Sequence, residues 1–434
     1  MLIQSKIRNL NLPAVRGEEE YVARILEQGL SIEEFKSISG MADYIGVTQE
    51  FKNVIDYFKV PAGETPAGFE IQMEVNADRV LRVNLKRNIS YDKNGRKRPT
   101  NLLFSADSAN PYEVAPVSRM LANLTCNPGI IYDLFINNPK ANVGNKFKDR
   151  DEVMAEIGRI LGPGCDISVE LNDPFGKSDA EILEEAAKFK EMLSEYRVVI
   201  KVPHTGPVNK DNVGQLLTGD KKLDRRYNNV STADAFRGHN LALMLHEHGY
   251  RVNFTLMFEP AQSALALQAR PYFINSFIRH RLMQTQEMQQ FLNLYKATGS
   301  KKYLEDLRKF MVSKDYYCAG EENMDLLDVM HAAETLIAQR NYNNAEGNDG
   351  LDGIRHNLRL LRQTNMDDTR LIICSMEGDW NYYDIDRLLS SKEYGDMAGR
   401  VVLTAEPNYL ARFSSANQVV SYQRRFMNAA NGAK

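Results

Sequence analysis

The spacing of apolar residues changes character near Pro99. Before it, Ile25, Leu26, Ile32, Phe35 and Ile38 recur at helical intervals, and the pattern predicts two helices between positions 18 and 58 with a break at Ser39-Gly40. Two strands are expected next, over 69–75 and 80–85, separated by Asn76-Ala77-Asp78; the turn Asp92-Lys93-Asn94-Gly95 leads toward the next strand. Residues 1–99 therefore read as a small N-terminal α+β addition. Beyond them, short apolar runs alternate with helical stretches, as parallel strands joined by crossover helices require. The candidate strands are 101–106, 122–125, 166–170, 198–202, 252–257, 272–274, 371–375 and 401–404. Eight is the strand count of a (β/α)8 TIM barrel, to which residues 100–434 are assigned. A doubly wound open sheet is the rival, but no GxGxxG follows the first strand and no GxxxxGK[ST] loop is present.

Two stretches interrupt the barrel pattern. Residues 206–234 form a polar loop that carries Lys221, Lys222, Arg225 and Arg226. Residues 281–340 are helical in pattern, notably over 303–311 and 324–338, and read as a helical insertion packed outside the barrel.

Composition narrows the function classes. The chain has 434 residues, 43% hydrophobic and 26% charged, which is the make-up of a soluble globular protein. With 54 basic against 57 acidic residues the net charge is -3, so neither nucleic acid nor a membrane surface is an expected partner. Cys126, Cys165, Cys318 and Cys374 are scattered without a CxxC pair, which suits a reducing compartment and argues against a disulfide framework or zinc site. The first twenty residues lack an apolar signal core, and a cytoplasmic location is expected.

The residue that least fits ordinary core chemistry is Lys201, in the run Val198-Val199-Ile200-Lys201-Val202-Pro203. Strand alternation puts Val198, Ile200 and Val202 on one face and Val199, Lys201 and Pro203 on the other, so an amine is aimed into an interior. Desolvation is expected to lower its pKa, giving a neutral amine able to attack a ketone. For a lone strand lysine, pairing with a buried carboxylate is the competing explanation. The polar residues at other strand ends decide between them: Asp107, Asn127, Glu170, Thr255, Asn275, Ser276 and Ser375. In a barrel such positions converge on one face. One lysine, two acids and several amides and hydroxyls suit amine–carbonyl chemistry, which needs a proton donor and acceptor beside the amine.

With these residues assembled, the chain resembles the transaldolase family, which includes the fructose-6-phosphate aldolases. Six segments carry the resemblance in order: Ala106-Asp107, Leu124-Thr125-Cys126-Asn127-Pro128-Gly129-Ile130-Ile131, Ile167-Ser168-Val169-Glu170, Val199-Ile200-Lys201-Val202-Pro203, Val252-Asn253-Phe254-Thr255-Leu256-Met257-Phe258-Glu259-Pro260-Ala261-Gln262-Ser263-Ala264, and Val402-Leu403-Thr404-Ala405-Glu406-Pro407-Asn408-Tyr409-Leu410. The resemblance implies a TIM barrel that transfers a dihydroxyacetone unit between sugars or sugar phosphates through a Schiff base, as in carbohydrate metabolism of the pentose phosphate type. It implies Lys201 as nucleophile, Glu170 as acid/base through a water held with Thr255, Asp107 as the base that triggers carbon–carbon cleavage, and Asn127 on donor hydroxyls. Asn275, Ser276, Arg279 and Ser375 are further substrate-binding candidates. No cofactor and no metal are implied, and family members commonly form homo-oligomers.

Two departures concern the far end of the substrate. His280 and Glu377 stand where the family pattern carries phosphate-binding arginines, so Arg279, Arg281 or the basic group in 206–234 would have to compensate, or the substrate lacks that phosphate. The alternatives are an aldolase acting on a different or unphosphorylated substrate, and a non-catalytic barrel that binds a ligand or partner. His246 and His248 lie two apart, facing different sides of a helix, which is unsuited to a shared metal; Trp380 is assigned no role.

Overall fold

The computed structural model describes residues 5–61, 63–340, 345–347, 349–375, 381–412 and 414–432, the side chains of 319 and 375 excepted. Eight strands close into a barrel: β6 (Leu103–Asp107), β7 (Leu121–Thr125), β8 (Asp166–Glu170), β9 (Arg197–Pro203), β10 (Val252–Met257), β11 (Phe273–Ile278), β12 (Arg370–Ser375) and β13 (Val401–Ala405). Every neighbouring pair is parallel, and β13 pairs with β6 to complete the ring. Helices cover the outside, so each strand is buried on both faces and reads as an almost continuous apolar run. The expected (β/α)8 barrel is thus present, and the open-sheet rival is excluded.

Alternation sorts the strand residues. Outward-facing Ile167, Val169, Val198, Ile200, Val202, Phe254, Ile274 and Leu403 pack with the surrounding helices in the main core. Inward-facing Leu103, Ala122, Val199, Phe273, Ile372 and Val402 form a separate apolar plug low in the barrel. Above it lies a hydrogen-bonded belt. Asn253 Nδ2 donates to Ser168 Oγ (3.1 Å), Ser168 Oγ donates to Asn123 Oδ1 (3.0 Å), and Asn123 Nδ2 donates to Ser105 Oγ (2.9 Å). Each belt member precedes an upper-layer residue on its own strand by two positions: Asp107, Thr125, Glu170 and Thr255.

The N-terminal segment differs from its sequence pattern. Instead of two helices, positions 18–58 contain three short ones, Glu19–Ala23, Ile32–Ser39 and Gln49–Phe58, interleaved with β2 (Gly29–Leu30) and β3 (Tyr44–Val47). The interruptions have local causes. Ser31 and Thr48 accept from Glu34 N and Phe51 N, starting new helices, while Glu18 takes the Val47 amide and draws β3 inward. A Cβ on Gly46 would stand 2.4 Å from Glu18 Oε2, so the approach needs glycine. β3 pairs with β5 (Val80–Arg87), which pairs antiparallel with β4 (Phe69–Val75); β1 (Ser5–Lys6) pairs with β2. The 92–95 turn is closed by the single bridge Tyr91–Lys97, and the strand that follows it is β6.

This segment meets the bottom of the barrel. The Arg197 guanidinium at the start of β9 lies over the rings of Phe58 and Phe69, 5.5 and 5.2 Å from their centroids. It also ion-pairs with Asp166, which forms a two-pronged bond with Arg251 (3.1 and 3.1 Å). Gly68, with φ +77°, supplies the close backbone approach: a Cβ there would come within 2.2 Å of Arg197 Nη1.

Helices His280–Thr298, Lys302–Ser313 and Leu326–Gln339 bundle around their own apolar cluster, including Met288, Leu307, Met311 and Val329. The polar loop is tied to them, because Lys222 bonds Asp315 (2.9 Å) and Arg226 bonds Glu321 (2.7 Å). Among the described residues no helix is long and apolar enough to cross a membrane.

Candidate active site

Lys201 enters the barrel from β9 in the layer above the amide–hydroxyl belt, with 4% of its surface exposed. Its Nζ lies 3.1 Å from Glu170 Oε2 and donates to the Cys126 carbonyl at 3.2 Å. Glu170 is its register partner on the adjacent β8. Both sequence explanations therefore describe the same residue: the lysine is paired with a carboxylate, and it sits among groups that amine–carbonyl chemistry needs.

The expected lowering of the Lys201 pKa is overturned. Burial alone would push it down, but the charges of Glu170 and Asp107 and the hydrogen bond that Lys201 donates to Glu170 outweigh burial, and the net direction is up. The carboxylates thus favour the charged form of the amine. An ammonium is not nucleophilic until it loses a proton, and Glu170 is a carboxylate within reach of that proton.

Asp107, at the end of β6, responds in the opposite sense. Burial pushes its carboxyl up to about 6; Lys201 pulls it down, while Glu406 and Glu170 add to the rise. Its Oδ1 is buried without a hydrogen-bond partner. A base must be ionised to accept a proton, so turnover limited by Asp107 is expected to fall as pH drops through about 6. A pH–rate profile checks this, with loss of the acid limb expected in Asp107→Asn.

The remaining candidates divide. Thr255 is buried in the upper layer, two positions beyond Asn253, the register partner of Lys201, and its hydroxyl receives Asn275 Nδ2 at 3.4 Å. Asn127 caps the turn after β7, where its Oδ1 accepts from Ile130 N (2.9 Å). Ser276 requires a correction. β11 runs to Ile278 rather than ending at 274, so alternation turns Ser276 outward, where it accepts from Asn357 Nδ2 (3.0 Å) on the covering helix Asp352–Arg362. Arg279 requires another. With φ +65° it turns out of the strand and its Nε bonds Asp384 at 2.6 Å, a carboxylate that also holds Arg387. The side chain of Ser375, together with Glu377 and Trp380, lies outside the described residues.

Several supporting residues escaped sequence reasoning. Ser105, Asn123, Ser168 and Asn253 form the belt, while Thr125 and Thr404 place buried hydroxyls without partners in the interior. A period of two counted back from each named strand-end residue finds all but Thr404. Glu406, just past β13, also acts on Asp107. His239 and His246 share the helix Arg237–Glu247, and His248 caps its end; no group of three metal-ligating side chains occurs among the described residues.

This arrangement provides a buried primary amine, a carboxylate in contact with it, a second carboxylate of raised pKa, and inward amides and hydroxyls. Such groups can form an imine and move protons around it. No curated protein matches the chain. Residues 104–311, from β6 through the first two helices of the insertion, match the family model described as Transaldolase/Fructose-6-phosphate aldolase, which places this stretch of the barrel in that family.

Proposed function

We propose that the protein is a class I, Schiff-base enzyme that transfers a dihydroxyacetone-type unit from a ketose to an aldehyde. The observation that carries this reading is the contact of Lys201 with Glu170 in the barrel interior, beside Asp107. Glu170 accepts the ammonium proton, and the freed amine attacks the ketone carbon. Glu170 then returns a proton to the carbinolamine oxygen, which leaves as water and yields a protonated imine. Asp107 removes the proton from the β-hydroxyl. The bond between the α and β carbons breaks, its electron pair passes to the iminium as an enamine, and an aldehyde departs. Attack of that enamine on a second aldehyde completes transfer; protonation instead gives the lyase outcome. Hydrolysis regenerates Lys201 in either case. Thr255 holds the water of imine formation, and Asn127 Nδ2 reaches a donor hydroxyl.

Borohydride reduction in the presence of ketoses, followed by mass analysis, tests the reading directly. The expected product is a single adduct on the Lys201 peptide; no adduct with any ketose or ketose phosphate would sink it. Glu170→Gln supplies a second test. Imine formation is expected to slow by roughly 10²–10⁴-fold. The same change removes the charge that does most to hold the ammonium, so Lys201 loses its proton at lower pH and the rise of imine formation with pH that follows this loss moves down with it.

A further inference from the structure

The sheet of the N-terminal segment is covered on its apolar face only in part. Leu81, Val83 and Leu85 of β5 are inaccessible, whereas their register partners on the edge strand β4, Val75, Met73 and Ile71, are half-buried. A groove of about 710 Å³ runs between β4 and the helix Ile32–Ser39. Ile38 and the exposed Met41 complete its apolar lining, and the exposed Glu33 and Glu34 form its acidic edge. Arg79 also borders the groove, but its charge is taken up by Asp43; Glu33 has no ion pair among the described residues.

A surface of opposite character lies late in the chain. Helix Asn417–Ala430 has no buried residue, and every position from 414 to 432 is exposed. Val419, Tyr422, Phe426 and Ala430 recur at the spacing of one helix face with Met427 beside them, while Asn417, Ser421, Arg424, Arg425 and Asn428 take the other. Tyr422, Phe426 and Met427 are 57%, 61% and 60% exposed. A helix of 14 residues without tertiary packing is marginal in water, and an apolar stripe of this size marks a contact surface. Residues 407–434 contain no acidic residue, and Arg424 and Arg425 have no ion pair among the described residues.

We propose that this helix lies in the groove of a second copy of the chain, its apolar face on β4 and its two arginines reaching round to Glu33 and Glu34. The dimensions agree: Val419 to Met427 is about 12 Å of helix, and Ile71 to Val75 about 13 Å of strand. The charges are complementary, and arginine stems are long enough to follow the groove wall to its edge. A helix is also the element the sheet lacks, since one laid over β4 extends the layer that Ile32–Ser39 and Gln49–Phe58 begin. A second copy supplies it because the helix follows β13 at the carboxyl ends of the barrel strands, whereas the groove belongs to the segment beneath their amino ends. To reach its own groove it would have to run the height of the barrel, and none of its residues rests on the barrel flank. Reciprocal exchange fills two grooves with two helices and leaves neither surface open. Groove and helix both fall outside residues 104–311, so the contact belongs to what this chain adds to the stretch matched by the family model.

Sedimentation velocity on the full chain tests the proposal. The parent protein is expected to self-associate, and Tyr422→Glu with Phe426→Glu in one chain to raise the dissociation constant at least about ten-fold. Both side chains are exposed within their own chain, so the unfolding midpoint of the dissociated protein is expected to stay in place. Chains carrying Met41→Cys are then mixed with chains carrying Gln423→Cys under mild oxidation. A disulfide joining the peptides that bear positions 41 and 423 is expected, and it necessarily links two copies. A parent protein that is monomeric at every concentration would overturn the proposal, including one that instead floats with anionic phospholipid vesicles. So would an unchanged dissociation constant in the double variant, or links confined to pairs of residue 423, which would mean that helix packs on helix.

Discussion

Replacing Lys201 by methionine is expected to abolish the borohydride-trapped adduct and to lower turnover on the order of 10⁴-fold or more, as loss of a nucleophile does elsewhere. Methionine keeps the length of the side chain and packs in an apolar strand, so β9 retains its place between β8 and β10. What disappears is the donor to Glu170 and to the Cys126 carbonyl, and with it the primary amine that the Schiff-base reading requires. Turnover within ten-fold of the parent protein would exclude Lys201 as nucleophile. The outcome is separable from a folding defect, because far-ultraviolet dichroism and the unfolding midpoint report the barrel independently of the adduct.

The largest effect on stability is expected at Asp166, at the opposite end of the barrel. Asp166, Arg197 and Arg251 are all essentially inaccessible, so one carboxylate balances two guanidiniums. Removing one partner of a buried pair costs about 3–5 kcal/mol, since the remaining charge stays desolvated. Here two cations would remain. Asp166→Asn is therefore expected to lose at least about 3 kcal/mol, a large share of the roughly 5–15 kcal/mol that holds a domain folded. Denaturant titration measures it. The exposed pair Arg79–Asp43 is the control: Asp43→Asn is expected to leave the denaturation midpoint nearly unchanged. Equal effects at the two positions would contradict the assignment of Asp166 as the counter-charge of the barrel floor.

The eight strands were legible because burial on both faces writes each as a β-branched run between polar stretches, as in Val198-Val199-Ile200 or Leu371-Ile372-Ile373. Asp107, Glu170, Lys201 and Thr255 were legible for a related reason: a polar residue at an inward position near a strand end breaks the apolar pattern. Ser276 was misread because strand 272–274 looked finished before its real end at Ile278. One unrecognised half-turn of extended chain is enough to exchange inside for outside. Arg279 was misread for a different cause. Its partner Asp384 is 105 positions away, and no local pattern encodes that meeting. The direction of the Lys201 shift was lost in the same way, since it depends on carboxylates from β6 and β8 converging on one nitrogen. The interruptions within 18–58 were written locally, in Ser31-Ile32-Glu33-Glu34 and Thr48, as caps that outrank the apolar spacing.

Asp107 sits on the strand that must wait longest for its neighbour. β6 is the first barrel strand made and β13 the last, so their pairing joins Leu103 to Val402 only after nearly the whole chain exists. Bringing such distant segments together is the slow, entropically unfavourable step of a non-local topology. Glu406 cannot act on Asp107 until that step is complete. During synthesis, the paired Lys201 and Glu170 on adjacent strands can assemble early, while Asp107 gains its surroundings only at closure. On the proposed Schiff-base reading, a nascent or misclosed chain would hold the lysine without the group assigned to bond cleavage, and turnover would become a readout of the ring having shut.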